Sequence, residues 1–393
     1  MTTPTSDDPF RDPRSMGSAG SDPLDVPKAA RTEQERSDER AHVGHLGVSA
    51  VGTEELLRVE DLHVDFPTDD GVVHAVRGVS YSLNVGEVLG IVGESGSGKS
   101  VSSMAVLGLL PKSARIRGSI RYRGDDVLSM SLAAQRSLRG RRIAMIFQDP
   151  MTAMNPVHTI GDQLAEAVLS HELMPRKQAM ARAEEALALV GIPQPKTRLR
   201  SYPHEFSGGM RQRAMIAMAI INNPDVIIAD EPTTALDVTV QAQILEKLVE
   251  VKDAVGAAIV LITHDLGVVA GMAHRVLVMY AGRPVELGET DDVFYNARMP
   301  YTAGLLGSIP TLESGDNGRL RPIKGAPPSL INLPRGCPFS PRCPLATDVC
   351  REEEPALLAT DSMGHLAACH HWDQLAAVDD PTAFFRAESE ASR

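Results

Sequence analysis

An α/β fold with a mainly parallel sheet at its core is what this sequence predicts, and three observations carry the prediction. Short apolar runs (EVLGIVG, RRIAMIF, DVIIAD and AAIVLIT) recur along the chain, and strands apolar throughout are those buried on both faces. Segments with helical spacing separate them, the alternation expected of a sheet covered by helices. From Gln148 to Asn223 the sequence is mostly helical, as in MARAEEALALVGI and GGMRQRAMIAMAIINN, which predicts a helical subdomain at about 150–222 inserted into the sheet domain.

The elements follow in chain order. Residues 1–53 are rich in Asp, Pro, Ser, Arg, Gly and Glu and lack periodicity, so a disordered tail is expected there. The opening MTTPTSDDPFRDPRS has no apolar stretch of the secretory kind. LLRVEDLHVDF then alternates as a strand does, and VVHAVRGVSYSL reads as another. The run EVLGIV leads into Gly93-Glu94-Ser95-Gly96-Ser97-Gly98-Lys99-Ser100, and SVSSMAVLGLL continues as a helix. Strand, glycine loop and helix in that order are the setting of a phosphate loop. Gly93, Gly96 and Gly98 free the backbone to wrap phosphates, while N–H groups from Ser95 to Ser100 supply donors at a helix start. Lys99 is expected to reach the β- and γ-phosphates of a nucleotide, and Ser100 to ligate Mg²⁺.

Two later strands end in polar groups. DVIIADEP places Asp230 at the carboxyl end of a buried strand, where parallel sheets bind ligands, and Asp230 is expected to hold Mg²⁺. Glu231 points elsewhere and can take or orient an attacking water, the bland alternative being a helix cap before Pro232. AIVLITHD repeats the design with His264. In FSGGMRQ, Ser207, Gly208 and Gly209 open a helix and form a second anion-binding terminus. One phosphate needs only one cradle, so the second suggests half-sites that meet between molecules. Met210, Met215 and Met218 read as helix core or groove filling.

Beyond about Ile309 the sequence turns Pro- and Cys-rich, which divides the chain into a domain at 54–309, an extension at 310–372 and a tail at 373–393. All four cysteines, Cys337, Cys343, Cys350 and Cys369, lie in the extension with spacing C-x5-C-x6-C-x18-C. This is not zinc-finger spacing; four such thiolates can hold a 4Fe–4S cluster or Zn²⁺, or stay unliganded. His365, His370 and His371 read as surface residues. A net charge of −12 opposes general nucleic-acid binding and a polybasic membrane anchor. No run approaches the roughly 18 apolar residues of a spanning helix, so a cytoplasmic location, with work at a membrane done through partners, is expected.

GESGSGKS, Gln148 in FQDP, SGGM, VIIADEPTTALD and His264 in THD, in that order, resemble the ATP-binding cassette ATPases. The resemblance covers about Leu56 to Ile309 and implies a P-loop cassette with an antiparallel β part. It also implies a head-to-tail dimer that holds each ATP between one phosphate loop and the other chain's Ser207-Gly208-Gly209. It assigns Gln148 to Mg²⁺ and the attacking water, Asp237 to the dimer interface, His264 to the γ-phosphate and Phe66 to the adenine. Met210 stands where the family most often has Gln. FQDPMTAMNPVHTIGDQLAE, FSGGMRQRAMIAMAI and GCPFSPRCPLATDVCREEEPAL are further similar to the D-type ATPases of bacterial oligopeptide and dipeptide importers. That implies two membrane permease subunits, a second, non-identical ATPase and a solute-binding protein as partners. It also implies a place on the cytoplasmic face of the membrane, and among the readings of the thiols it favours the 4Fe–4S cluster. A nickel or other small-solute importer, a soluble cassette ATPase acting on nucleic acid and an iron–sulfur protein regulated by ATP are the alternatives.

Overall fold

The computed structural model describes residues 51–234, 236–308, 323–378, 380–382 and 384–385. Most of the tail expected at 1–53 and the boundary expected at 309–310 lie outside the described residues. Twelve strands are described: β1 (Glu55–Thr68), β2 (Gly71–Asn84), β3 (Val88–Val92), β4 (Arg115–Tyr122), β5 (Asp125–Asp126) and β6 (Ile143–Ile146), then β7 (Val226–Asp230), β8 (Ala258–Thr263), β9 (Arg275–Tyr280), β10 (Arg283–Glu289), β11 (Leu358–Ala359) and β12 (Leu366–Ala367). They form two sheets, an antiparallel one ordered β2-β1-β4-β5 and a mixed one ordered β11-β12-β10-β9-β3-β8-β7-β6.

The centre of the mixed sheet is parallel, because β3 pairs in parallel with β8 and β9, and β7 with β6 and β8. Its side chains sort by the two-residue period of a strand. Val88, Ile227, Ala229, Ile259, Leu261, Val276 and Val278 enter one core with the helices, among them Ala179, Ala183 and Leu187 at helical spacing. Their neighbours Leu89, Ile91, Val226, Ile228, Val260, Ile262, Leu277 and Met279 enter a second core with β1, β2 and β4. Both faces are therefore dry, and the strands carry no polar face to read.

Helices Ile160–Leu169, Arg176–Leu189 and Gly208–Ile220 share the first core. Met215 is buried there, and Met210 and Met218 pack partly buried against it, as core filling requires.

The extension is built onto the cassette. Antiparallel pairing joins Glu286 to Ala367 and Leu287 to Leu366, so β12 and then β11 continue the mixed sheet. Glu354 bridges Arg77 and Arg283 at 2.6 and 3.2 Å, and Asp361 pairs with Arg298. Phe339, only 1% exposed, meets Tyr280 and Tyr301 edge-on, each at 5.4 Å between ring centroids. Beyond the extension, Trp372–Ala376 is helical and Leu375 is buried.

His365 departs from the surface role expected for it: it is fully buried and hydrogen-bonds Glu286 at 2.8 Å, and Glu286 also accepts from the Arg298 N–H. The sequence conceals this because the partner lies 79 positions away. His365→Ala leaves the buried Glu286 carboxyl group without its imidazole partner, which costs about 3–5 kcal/mol. We expect a matching drop in the chemical-denaturation midpoint of the full chain. A midpoint within error of the parent's would show that the pair contributes nothing net.

Candidate nucleotide site

The phosphate loop lies between β3 and the Lys99–Val106 helix. Two of its glycines are dictated by space as well as by dihedral angle. At Gly93 (φ 151°) a Cβ would fall 2.2 Å from the Met279 carbonyl oxygen, and at Gly98 (φ 96°) 2.3 Å from that of Ala75. Only a residue without a side chain lets the loop sit this close to β9 and β2. Gly96 also takes a left-handed φ of 79°, and its missing Cβ would face open space.

Lys99 is buried at 4% exposure, and its ammonium donates to the carbonyl oxygens of Gly93 at 2.7 Å and Glu94 at 3.0 Å. Burial pulls its pKa below the ordinary lysine value, opposed by the negative charges of Glu231, Asp230 and Glu94. The ammonium also donates to the Ser97 hydroxyl at 3.5 Å, and a buried cation bonded in this way to neutral oxygens suits an anionic ligand. Ser97 is buried beside it, and Ser95 is exposed on the outside of the loop.

Asp230 ends β7, and the Ser100 hydroxyl donates to its Oδ1 at 2.9 Å. Burial raises the Asp230 pKa, and the Ser100 hydrogen bond counters the rise. One carboxylate and one hydroxyl beside a phosphate cradle fit Mg²⁺, which binds through one or two protein groups, phosphate oxygens and water.

Glu231, the next residue, has a left-handed backbone, with φ of 46° in a residue that is not glycine. Such a conformation costs of order 1–3 kcal/mol and concentrates at functional sites. Three groups meet its carboxylate. Gln148 donates to Oε2 at 3.0 Å, Thr234 donates to the same oxygen at 2.8 Å, and the His264 Nδ1 lies 3.5 Å from Oε1. Gln148 and His264 are exposed, so they approach Glu231 from the solvent side. Thr234 was not singled out in the sequence, although it stands within the TTALD stretch that supplied Asp237.

The remaining expected residues lie elsewhere. Ser207 caps the Gly208–Ile220 helix by accepting from the Met210 N–H at 3.3 Å. Ideal Cβ positions at Gly208 and Gly209 approach Leu236 and Val240, next to Asp237, which caps its own helix. Among the described residues no hydrogen bond joins Ser207, Gly208, Gly209 or Asp237 to the phosphate loop. Phe66 is half-buried on β1, paired with Val73 and packed against the second core.

A groove of about 340 Å³ opens beside Gln148, lined by Leu107, Phe147, Met154, His171, Met215 and Met218 among others. All four thiols line a second, much smaller cavity of about 10 Å³, together with His370 and His371. Burial pushes the Cys369 thiol up to about 12, and the other three cysteines add to the shift. The donors suit a soft metal. Among the described residues no three His, Cys, Asp or Glu are grouped as a metal ion requires, and the space between the thiols is that of a single water.

Fold and site together define a P-loop nucleotide-binding protein of the cassette type. Residues 76–234 match the ABC transporter family model, and residues 285–350 match that of the oligopeptide/dipeptide transporter C-terminal region. The chain belongs to the family of ATP-binding proteins of ABC oligopeptide and dipeptide transporters. It is 52% identical to the dipeptide transport ATP-binding protein DppD of Bacillus subtilis over 326 residues, 82% of this chain and 96% of that one. It is 50% identical to the oligopeptide transport ATP-binding protein OppD of Salmonella typhimurium, with 80% and 93% coverage. Identity with OppD of Mycobacterium tuberculosis is 56% over 80% of this chain, which spans about half (51%) of that longer relative. Among solved structures, cbiO1 of Clostridium perfringens, part of the transporter complex cbiONQ, aligns with a TM-score of 0.53 and 29% identity, covering 62% of this chain and 92% of that one. The cassette MJ0796 bound to ADP and Pi aligns with a TM-score of 0.54, covering 60% and 99%; at 23% identity it speaks to the fold alone.

Proposed function

We propose that this chain is the ATP-hydrolysing, energy-coupling subunit of a membrane importer for peptides. The observation that carries the reading is the Glu231 carboxylate, held by Gln148, Thr234 and His264 beside Asp230 and the phosphate loop. In this reading Lys99 and the loop N–H groups bind the phosphates of ATP, and Ser100, Asp230 and Gln148 hold Mg²⁺, which supplies charge neutralisation at the phosphates. Glu231 orients and deprotonates the attacking water, His264 touches the γ-phosphate, and Phe66 stacks on adenine. Ser207, Gly208, Gly209 and Asp237 serve the facing chain, which accounts for their lying together on one surface and away from this chain's own loop.

The facing chain is proposed to be a second, non-identical ATPase. The groove beside Gln148 is proposed to grip a cytoplasmic segment of one of two permease subunits, since it is mostly apolar and adjoins the residue that donates to Glu231. Among the described residues no helix is long and apolar enough to cross a membrane. A peripheral place on the cytoplasmic face belongs to the same reading. The solute, delivered by a binding protein, is taken to be a peptide because the chain is similar to proteins named for oligopeptide and dipeptide transport. The cassette is taken to span 54–309 and the extension 310–372. A 4Fe–4S cluster on Cys337, Cys343, Cys350 and Cys369 belongs to the same reading. It is supported by the four thiols lining one cavity, and no step of ATP chemistry passes through it.

The test is the ATPase rate of the full chain assembled with its permease and ATPase partners in lipid. We expect the rate to rise several-fold when a binding protein loaded with short peptide is added. A rate indifferent to the loaded protein would remove the peptide reading. Stimulation by a nickel-loaded protein instead would favour the small-solute alternative.

A further inference from the structure

The second residue of the phosphate loop, Glu94, carries a negative charge into a loop built to receive negative phosphates. Three contacts fix it. Its N–H donates to the Tyr301 hydroxyl at 2.8 Å, its carbonyl accepts from Lys99 at 3.0 Å, and its carboxylate is gripped by Arg342. The grip is a two-pronged fork, with Nη1 on Oε2 at 2.6 Å and Nη2 on Oε1 at 2.9 Å. Arg342 lies 248 positions away in the extension, and its side chain is only 4% exposed. It is itself braced by the Tyr280 hydroxyl at 3.2 Å and by the carbonyl oxygens of Ile323 and Lys324. The guanidinium also sits 5.8 Å from the ring centroids of Tyr280 and Phe339. A planar fork braced in this way holds a carboxylate at a fixed angle, as a flexible ammonium cannot.

We propose that Arg342 is a positioning residue of the nucleotide site, holding and neutralising Glu94 so that the phosphate loop can accept a polyphosphate. The proposal rests on the nucleotide reading above. It makes the extension part of the binding site, because an unpaired Glu94 carboxylate repels the phosphates and loosens the loop that carries Lys99.

The experiment measures MgATP binding to the full chain and the KM and kcat of the assembled transporter. We expect Arg342→Ala to weaken binding and raise KM by about 10- to 100-fold, the weight of a hydrogen-bonded charge pair, with kcat at saturating ATP changed far less. Adding Glu94→Gln to Arg342→Ala is expected to recover most of the affinity, because the repelling charge is gone. Arg342→Lys, which keeps the charge and loses the fork, is expected to fall between parent and Arg342→Ala. A double variant as weak as Arg342→Ala would overturn the proposal, since Arg342 would then serve only the folding of the extension. Unchanged binding in Arg342→Ala would overturn it as well. If Lys99→Ala binds MgATP like the parent chain, the nucleotide reading itself has failed, a result distinct from either of these.

Discussion

Glu231→Gln is expected to leave MgATP binding intact while slowing hydrolysis by about 10²–10⁴-fold, the usual worth of a positioned general base. The replacement keeps the size of the side chain and an oxygen that can accept from Thr234 and Gln148. The left-handed backbone at position 231, with φ of 46°, belongs to the chain path and stays in place. What is lost is the capacity to take a proton from water. Binding without turnover should hold the proposed pair of this chain and its ATPase partner closed, so size-exclusion chromatography of the two with MgATP should show a stable heterodimer that the parent pair forms only in passing. Parent-like turnover in this variant would remove Glu231 from its role.

Lys99→Ala is expected to fail one step earlier. Its ammonium is the buried cation of the loop, and no other side chain among the described residues fills that place. Loss of a charge-assisted contact to phosphate should weaken MgATP binding by about tenfold or more, and hydrolysis should fall with it. Equilibrium binding with a fluorescent ATP analogue reads the effect directly. Unchanged affinity would contradict the cradle. Taken as a pair, the two variants separate holding the nucleotide from cleaving it.

Much of this site was legible in the sequence because its parts are local. GESGSGKS, DVIIADEP and AIVLITHD each place a polar group at the end of an apolar strand, and β3, β7 and β8 lie side by side in parallel. Their polar ends therefore fall at one edge of the sheet. What could not be read depends on contacts between distant segments. His365 looked like a surface residue among other histidines, yet Glu286 on a neighbouring strand draws it into the interior. The grip of Arg342 on Glu94 leaves no local trace in either segment. The four thiols, clustered in sequence, line one small cavity.

The addition of β12 to β10 has a bearing on where the cassette can be said to end. Without it, β10 would be the outermost strand of the mixed sheet, its free N–H and C=O groups available to any extended chain nearby. Such an edge invites strand exchange and fibre-like stacking, hazards that proteins suppress by covering or blunting it. The two-residue strand β12, followed by the equally short β11, is a blunt cover of this kind. The C-terminal segment therefore covers that edge, and a cassette trimmed back to its nucleotide motifs would expose β10 as an unpaired outermost strand.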